Sequence, residues 1–337
     1  MGKTNQISIL IAGLGSIGQR HLRNLVTLGV DEISLLRSGR GKLINRDLDA
    51  YPTYTDPESA LNTCPTAVIV SNPTSMHLDT ALAAAETGCH LLIEKPVSHT
   101  LDRTDQLSRL VEEKHLVVLT GFQFRFHPAF VRIREWLDRD LIGEIVSVHA
   151  HWGEYLPGWH PWEDYRTAYS ARKDMGGGVT LTLCHPFDYL RYFLGEVVSV
   201  SAMLEQRSGF NLDVEDTAQV MLRFKNGSVG TVYLDYIEKP PRHELIIVGQ
   251  SGSIVWNQQK EEAVLHAAGR HMSITFSPNK HFERNTMFLD EMKHFLACIQ
   301  GKQDSLCTLD DGIQALKIVE AVKESSNKKQ EVELASV

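Results

Sequence analysis

Residues 7–22, ISILIAGLGSIGQRHL, decide how the first third of the chain is read. ISILIAG is an apolar run short enough for a buried strand, and Ser16 to Leu28 follows as a helix closed by Gly29. Between them Gly13, Gly15 and Gly18 form G-x-G-x-x-G. The three glycines serve three purposes, in turn a tight bend, close backbone approach to a pyrophosphate, and close packing of helix on strand. The helix N-terminus offers unsatisfied N–H groups and a positive dipole end, so Ser16 and Ile17 join the glycines as cofactor-binding candidates. A lone glycine motif is weak; the strand–turn–helix context gives this one its weight.

The same rhythm continues outward. EISLLR, TAVIVSN, HLLIEKP and LVVLTGF read as further strands, with helical stretches near 76–87 and 100–114. Continuous apolar strands alternating with helices predict a parallel sheet covered on both faces. After residue 122 the pattern changes. GEIVSVHAHW, VVSVSAML, TAQVMLRF, GSVGTVYLDY, HELIIVG and GSIVW are strand-like and mostly separated by turns, FKNGS carrying an Asn-Gly hairpin signal. They predict a large, mostly antiparallel sheet with one face open, followed by helices near 283–300 and 309–324 and a polar, loose tail. The expected domains are 1–122, a Rossmann nucleotide-binding domain, and 123–337, an α/β domain for substrate and oligomerisation.

Bulk properties narrow the function. The 337 residues carry a net charge of −8, with 42% hydrophobic and 23% charged residues, as in a globular chain large enough for two cores. The acidic balance and the lack of a basic run argue against a nucleic-acid partner. No apolar run approaches the ~20 residues that cross a bilayer, so no membrane partner is expected. The opening residues run straight into the glycine motif and read as a strand, not a secretion signal. Five cysteines without CxxC spacing suit reduced thiols in the cytoplasm and give no support to a metal site. Cys184 beside His185 is no nucleophile–base pair, because adjacent residues on a helix point in different directions.

The residue about 20 positions past the glycines tells NAD from NADP. An NAD-preferring site carries a carboxylate there. Here LLRSGR occupies the place, and Arg37, Ser38 and Arg40 suit a 2′-phosphate instead. NADP is the expected cofactor, with NAD the alternative.

Two further segments fall at predicted carboxyl ends of parallel strands, where ligands gather: SNPTSMH (71–77) and EKP (94–96). Together with GFQFRFHPAF, GGG before a histidine, and LIIVGQSGSI, they occur in an order that resembles the glucose–fructose oxidoreductase, inositol dehydrogenase and MocA (Gfo/Idh/MocA) family over nearly the whole chain. The resemblance implies a Rossmann domain followed by an α/β domain whose open sheet joins homodimers or homotetramers. It implies that Lys95 contacts substrate and nicotinamide, with Glu94 and Pro96 shaping the strand end. Ser71, Asn72, Pro73 and His77 would line the cofactor, with a helix-start role equally open to His77. Gln123 would join them, Arg125 would hold an anionic or hydroxylated substrate, and His127 before Pro128 reads as structural.

In the family a histidine moves the hydroxyl proton, accompanied by an aspartate one helical turn earlier. His185 matches it by its place after Gly176-Gly177-Gly178 and by Asp188 three residues on. The aspartate's position is Thr182, which hydrogen-bonds but carries no charge. LTLCHPFDYL (181–190) thus predicts a proton-transfer helix with Thr182, His185 and Tyr189 on one face. Pro186 either kinks it or marks a late start.

The aromatic segment 151–178 reads as a substrate wall, because loops on a rigid scaffold carry specificity. Its candidates are Tyr155, His160, Trp162, Tyr165, Arg166 and Arg172. Its HPWEDYR…YSAR pattern is similar to a family subgroup associated with surface-polysaccharide and sialic-acid-like sugars. The expected activity is hydride transfer between nicotinamide and a hydroxyl or keto carbon of a sugar, sugar acid or polyol. Its rivals are a redox-neutral lyase or glycosidase holding its nucleotide, and a nucleotide-binding regulator.

Overall fold

The apolar runs of the first 122 residues become a six-stranded parallel sheet in the computed structural model, which describes residues 7–38, 46–267 and 272–334. Its strands are β1 (Ser8–Ala12), β2 (Glu32–Leu36), β3 (Thr53–Tyr54), β4 (Ala67–Val70), β5 (His90–Glu94) and β6 (Val118–Gly121). They lie in the order β3-β2-β1-β4-β5-β6, every pair parallel. This is the doubly wound Rossmann order, whose switch point lies between β1 and β4. Ile9–Ala12 and Ala67–Val70 are buried at every position, which requires cover on both faces. α1 (Ser16–Thr27), α2 (Pro57–Leu61), α3 (His77–Glu86) and α4 (Thr104–Glu113) alternate with the strands. β3 has only two residues and no apolar run, so nothing in the sequence pointed to it.

The chain returns to this unit late. By its contacts the first unit comprises Met1–Gln123 and Arg284–Ile313, and the second Phe124–Glu283 and Gln314–Val337. The returning helix, Arg284–Ile299, lays Phe288 under the Arg20 guanidinium at 4.4 Å, and Asn285 Nδ2 donates to Asn24 Oδ1 at 2.8 Å. Thr120 on β6 then donates through its amide to Cys307 O at 2.8 Å and through its hydroxyl to Thr308 O at 2.9 Å.

Among the described residues the second unit holds a nine-stranded sheet in the order β14-β13-β12-β11-β7-β10-β9-β8-β15. The strands are β7 (Ile145–Tyr155), β8 (Val197–Glu205), β9 (Thr217–Phe224), β10 (Val229–Asp235), β11 (Ile237–Gly249), β12 (Gly252–Asn257), β13 (Glu262–Ala267), β14 (Met272–Phe276) and β15 (Val332–Glu333). All pairs are antiparallel except β7 with β10. Asn226-Gly227 closes the β9–β10 hairpin, Gly227 taking φ +88° and Asn226 Oδ1 accepting from Ser228 N. β9 alternates strictly, Ala218, Val220, Leu222 and Phe224 buried while Gln219, Met221 and Arg223 are exposed, so one face of the sheet is open. α5 (Pro128–Asp138), α6 (Val179–Thr182) and α7 (His185–Leu194) belong to the same unit.

The tail departs from expectation. The last long helix, Leu309–Lys328, runs further than the sequence pattern, because Ser325 and Ser326 accept from the Ala202 and Leu204 amides of β8. Val332 and Glu333 then pair with β8, so this part of the tail is fixed rather than loose.

Candidate functional site

The glycine loop is built for a phosphate group. Gly13 adopts φ +100°, and a Cβ there would overlap the Asn72 backbone; a Cβ on Gly18 would overlap the Gly13 carbonyl. A Cβ on Gly15, by contrast, meets nothing within 4 Å. The first turn of α1 has neither a side-chain cap nor an acidic residue, so its leading N–H groups and dipole end are left for a ligand beside Gly15 and Ser16. These residues fit a dinucleotide pyrophosphate. Ser71, after β4, anchors the loop from below: its hydroxyl lies 2.9 Å from Gly13 O and 3.2 Å from Ala12 O.

The neighbouring strand ends are tied together. His77 starts α3, and its two ring nitrogens each lie 2.8 Å from a carbonyl, of Pro96 and of Asn72. It is 2% exposed, so it acts as a structural tie between the turns rather than as a cofactor wall, and burial lowers its pKa. The Asn72 side chain donates to Thr80 Oγ1 at 2.8 Å, and Pro73 precedes the short turn Thr74–Met76. Lys95 follows β5 half-buried, and its neighbour Glu94 is buried with Oε1 2.7 Å from His21 Nε2. No sequence pattern announced that bond across 73 positions. Arg37 directly follows β2, its amide donating to Tyr54 O at 3.0 Å, with Ser38 exposed beside it; Arg40 lies outside the described residues. Gln123 is 3% exposed at the end of this unit.

The proton-transfer segment is two helices, not one. α6 ends at Thr182 and α7 begins at His185, with Leu183 and Cys184 between. Pro186 lies in the first turn of α7, where its missing N–H costs nothing, so it marks a start and not a kink. Thr182 and His185 therefore share no helical face, contrary to the pattern. The Thr182 side chain meets the buried Tyr236 phenol, whose hydroxyl donates to Ser170 O at 3.2 Å. Asp188, three residues after His185, pairs with Arg125. It accepts from Arg125 Nε at 3.2 Å and Nη2 at 2.6 Å, both side chains buried, and the Arg125 guanidinium stacks on Tyr192 at 4.8 Å. Arg125, expected to hold substrate, is therefore a structural cation. His185, 5% exposed, packs against Phe124 and Trp152, with ring centroids 5.1 and 5.3 Å away. His127 caps α5 through Nδ1, which accepts from Ala129 N at 3.1 Å, and burial lowers its pKa to about 4.

The glycine tract has a steric origin. A Cβ on Gly178, at φ +111°, would overlap the Glu215 carboxylate, which accepts from Thr180 N at 3.2 Å and Thr180 Oγ1 at 2.5 Å. The aromatic segment runs through four short turns between 156 and 175. Tyr155 and Tyr165 meet Phe210 at 6.1 and 5.5 Å, His160 lies 5.3 Å from Trp162, and Trp162 is 71% exposed. Arg166 and Arg172 pair with Asp164 and Asp174 of their own loop through two hydrogen-bonding nitrogens each, at the surface.

Comparison with known proteins gives this arrangement its family. Residues 7–122 match the model "Oxidoreductase family, NAD-binding Rossmann fold", and residues 134–334 the model "Oxidoreductase family, C-terminal alpha/beta domain". The chain belongs to the Gfo/Idh/MocA oxidoreductase family. It is 26% identical over 349 aligned positions to myo-inositol 2-dehydrogenase of Thermotoga maritima, covering 97% of this chain and 98% of that one. It is 27% identical over 331 positions to scyllo-inositol 2-dehydrogenase (NAD(+)) of Bacillus subtilis, covering 93% and 92%. Levoglucosan dehydrogenase, solved in complex with NADH and levoglucosan, superposes with a TM-score of 0.86 at 22% identity over 98% of this chain and all of that one. Its family thus makes this chain a nicotinamide-dependent oxidoreductase. Among the described residues no helix is long and apolar enough to cross a membrane.

Proposed function

We propose that the protein moves a hydride between NADP or NAD and a hydroxyl or keto carbon of a sugar, sugar acid or polyol. The observation that carries this reading is the uncapped, acid-free start of α1 behind an open Gly15, set in a chain whose family is that of sugar and polyol dehydrogenases. Bound nicotinamide supplies a hydride acceptor or donor at its C4. In the oxidative direction the substrate C–H gives up hydride, His185 takes the hydroxyl proton, and the C=O bond forms. A histidine suits this because its ordinary titration range lies near neutrality. Lys95 donates to the reacting oxygen. Tyr155, His160, Trp162 and Tyr165 offer aromatic faces for the apolar side of a sugar ring. NADP is favoured because the place after β2 offers Arg37 and Ser38 and no carboxylate. The open sheet face joins a homodimer or homotetramer, and the five free thiols suit the cytoplasm.

Incubation with sugars, sugar acids and polyols and with both nucleotides tests the reading through absorbance of the reduced cofactor. Net cofactor turnover supports it; product without net turnover would favour redox-neutral chemistry. His185→Ala should then cut turnover by about 10²–10⁴-fold, the usual worth of a positioned acid–base group, while nucleotide affinity holds. Undiminished turnover in this variant would remove His185 from the reaction.

A further inference from the structure

The returning helix brings Glu291 into the first unit, where its side chain is fully buried. Neither of its carboxyl oxygens has a hydrogen-bond partner among the described residues. A bare buried carboxylate is so costly that such a group keeps its proton. Burial first, and repulsion from Glu94 second, push the Glu291 carboxyl well above the usual carboxylate range. Glu94 is the opposite case. Burial alone would raise it, but the hydrogen bond and charge of His21, then Lys95 and His77, outweigh burial and hold it low. His21 Nδ1 also lacks a partner among the described residues. Two carboxyls and one imidazole thus come together where α1, the end of β5 and the returning helix converge.

We propose that Glu291 is a positioning residue for the nicotinamide site: as a neutral acid it sits in a buried His21–Glu94–Glu291 triad at the junction of the glycine-loop helix and the Lys95 strand end, which the His21–Glu94 bond ties together, and loss of its proton weakens nucleotide binding. The proposal rests on the nucleotide-site reading of this unit. The charged groups around the triad are Arg20 on α1, Lys95 after β5, His77 on α3 and Arg284 on the returning helix; of all the groups only Glu94 acts on Glu291. The unfolded chain releases the Glu291 proton near pH 4.5, while the folded unit keeps it to higher pH. Stability contributed by this proton is therefore greatest in acid and falls as pH rises from there through the folded-state titration. Nucleotide affinity falls in the same direction, because an ionised Glu291 repels Glu94 and so loosens both elements that Glu94 joins.

Fluorescence titration of the full chain with NADH and NADPH, from about pH 6 to about pH 10, covers a strongly raised carboxyl. The wild-type Kd should rise about fivefold or more across this span, the lower end of coupling between linked sites. Glu291→Gln, fixed in the neutral form, should lose that slope; Glu291→Leu, with no proton to lose, serves if the glutamine variant fails to fold. An equal slope in wild type and variant overturns the proposal, as does a flat wild-type profile. A measurement needing neither variant nor nucleotide is the infrared carbonyl band of a protonated carboxylic acid in the wild-type protein at neutral pH, and its absence overturns the proposal too. Failure to bind either nucleotide at any pH would overturn the nucleotide-site reading itself; binding without pH dependence sinks the coupling alone.

Discussion

Arg37 and the Arg125–Asp188 pair show how the same residue type is used in two opposite ways. Arg37 sits half-exposed after β2, its backbone amide held by Tyr54 O. Arg37→Ala should weaken NADPH binding by about tenfold or more and NADH binding far less, since a charge-assisted hydrogen bond to phosphate contributes about 1.5–3 kcal/mol. Equal losses in paired titrations would sink the NADP preference. Arg125 is committed to Asp188 in the core, 3% and 1% exposed. Asp188→Asn leaves a buried guanidinium uncompensated and should cost about 3–5 kcal/mol in chemical denaturation. A loss near zero would mean that the pair does not hold the unit. Both residues stood out in the sequence for their motifs, yet their partnership spans 63 positions and no local pattern encodes it. His21 and Glu94 repeat the lesson: each sits beside a legible motif, and what each does depends on the other.

The elements around the glycine loop separate steric need from ligand need. Gly18→Ala drives a Cβ into the Gly13 carbonyl and should destabilise the first unit as well as abolish binding. Gly15→Ala meets open space, so the melting temperature should change little while nucleotide affinity drops by about tenfold or more, a loss of ~1.4 kcal/mol. Equal effects on stability would mean that the cradle is not the binding surface. The strand–glycine–helix element was legible because apolar runs, helix period and glycine spacing agree. The segment at 181–190 was not, because a proline in the first turn and a proline in mid-helix leave the same apolar pattern; only the break at Leu183–Cys184 distinguishes them. β3 and β15, two residues each, are fixed by pairing with β2 and β8 and carry no signal of their own.

At the scale of the molecule, the open sheet face and the late return of the chain matter most. Met203, Met221 and Val229 are 66%, 57% and 45% exposed on that face, more apolar surface than a lone sheet usually leaves in water. Met221→Asp should weaken self-association by about tenfold or more, because an isologous contact repeats the new charge on both copies. Sedimentation at several concentrations reads this, and unchanged assembly would exclude the face as the interface. The parallel first sheet and the open, mostly antiparallel second sheet were both legible from strand periodicity. That Arg284–Ile313 closes the first unit was not, since its apolar positions fit any helix covering any sheet. A ribosome delivers β1 to β6 long before this segment, although domains commonly fold in the order of their synthesis. Until residue 313 emerges, α1 lacks Phe288 and Asn285, and Thr120 lacks the Cys307 and Thr308 carbonyls. A nascent chain stopped before Arg284 therefore presents an unfinished nucleotide domain, however complete its glycine motif.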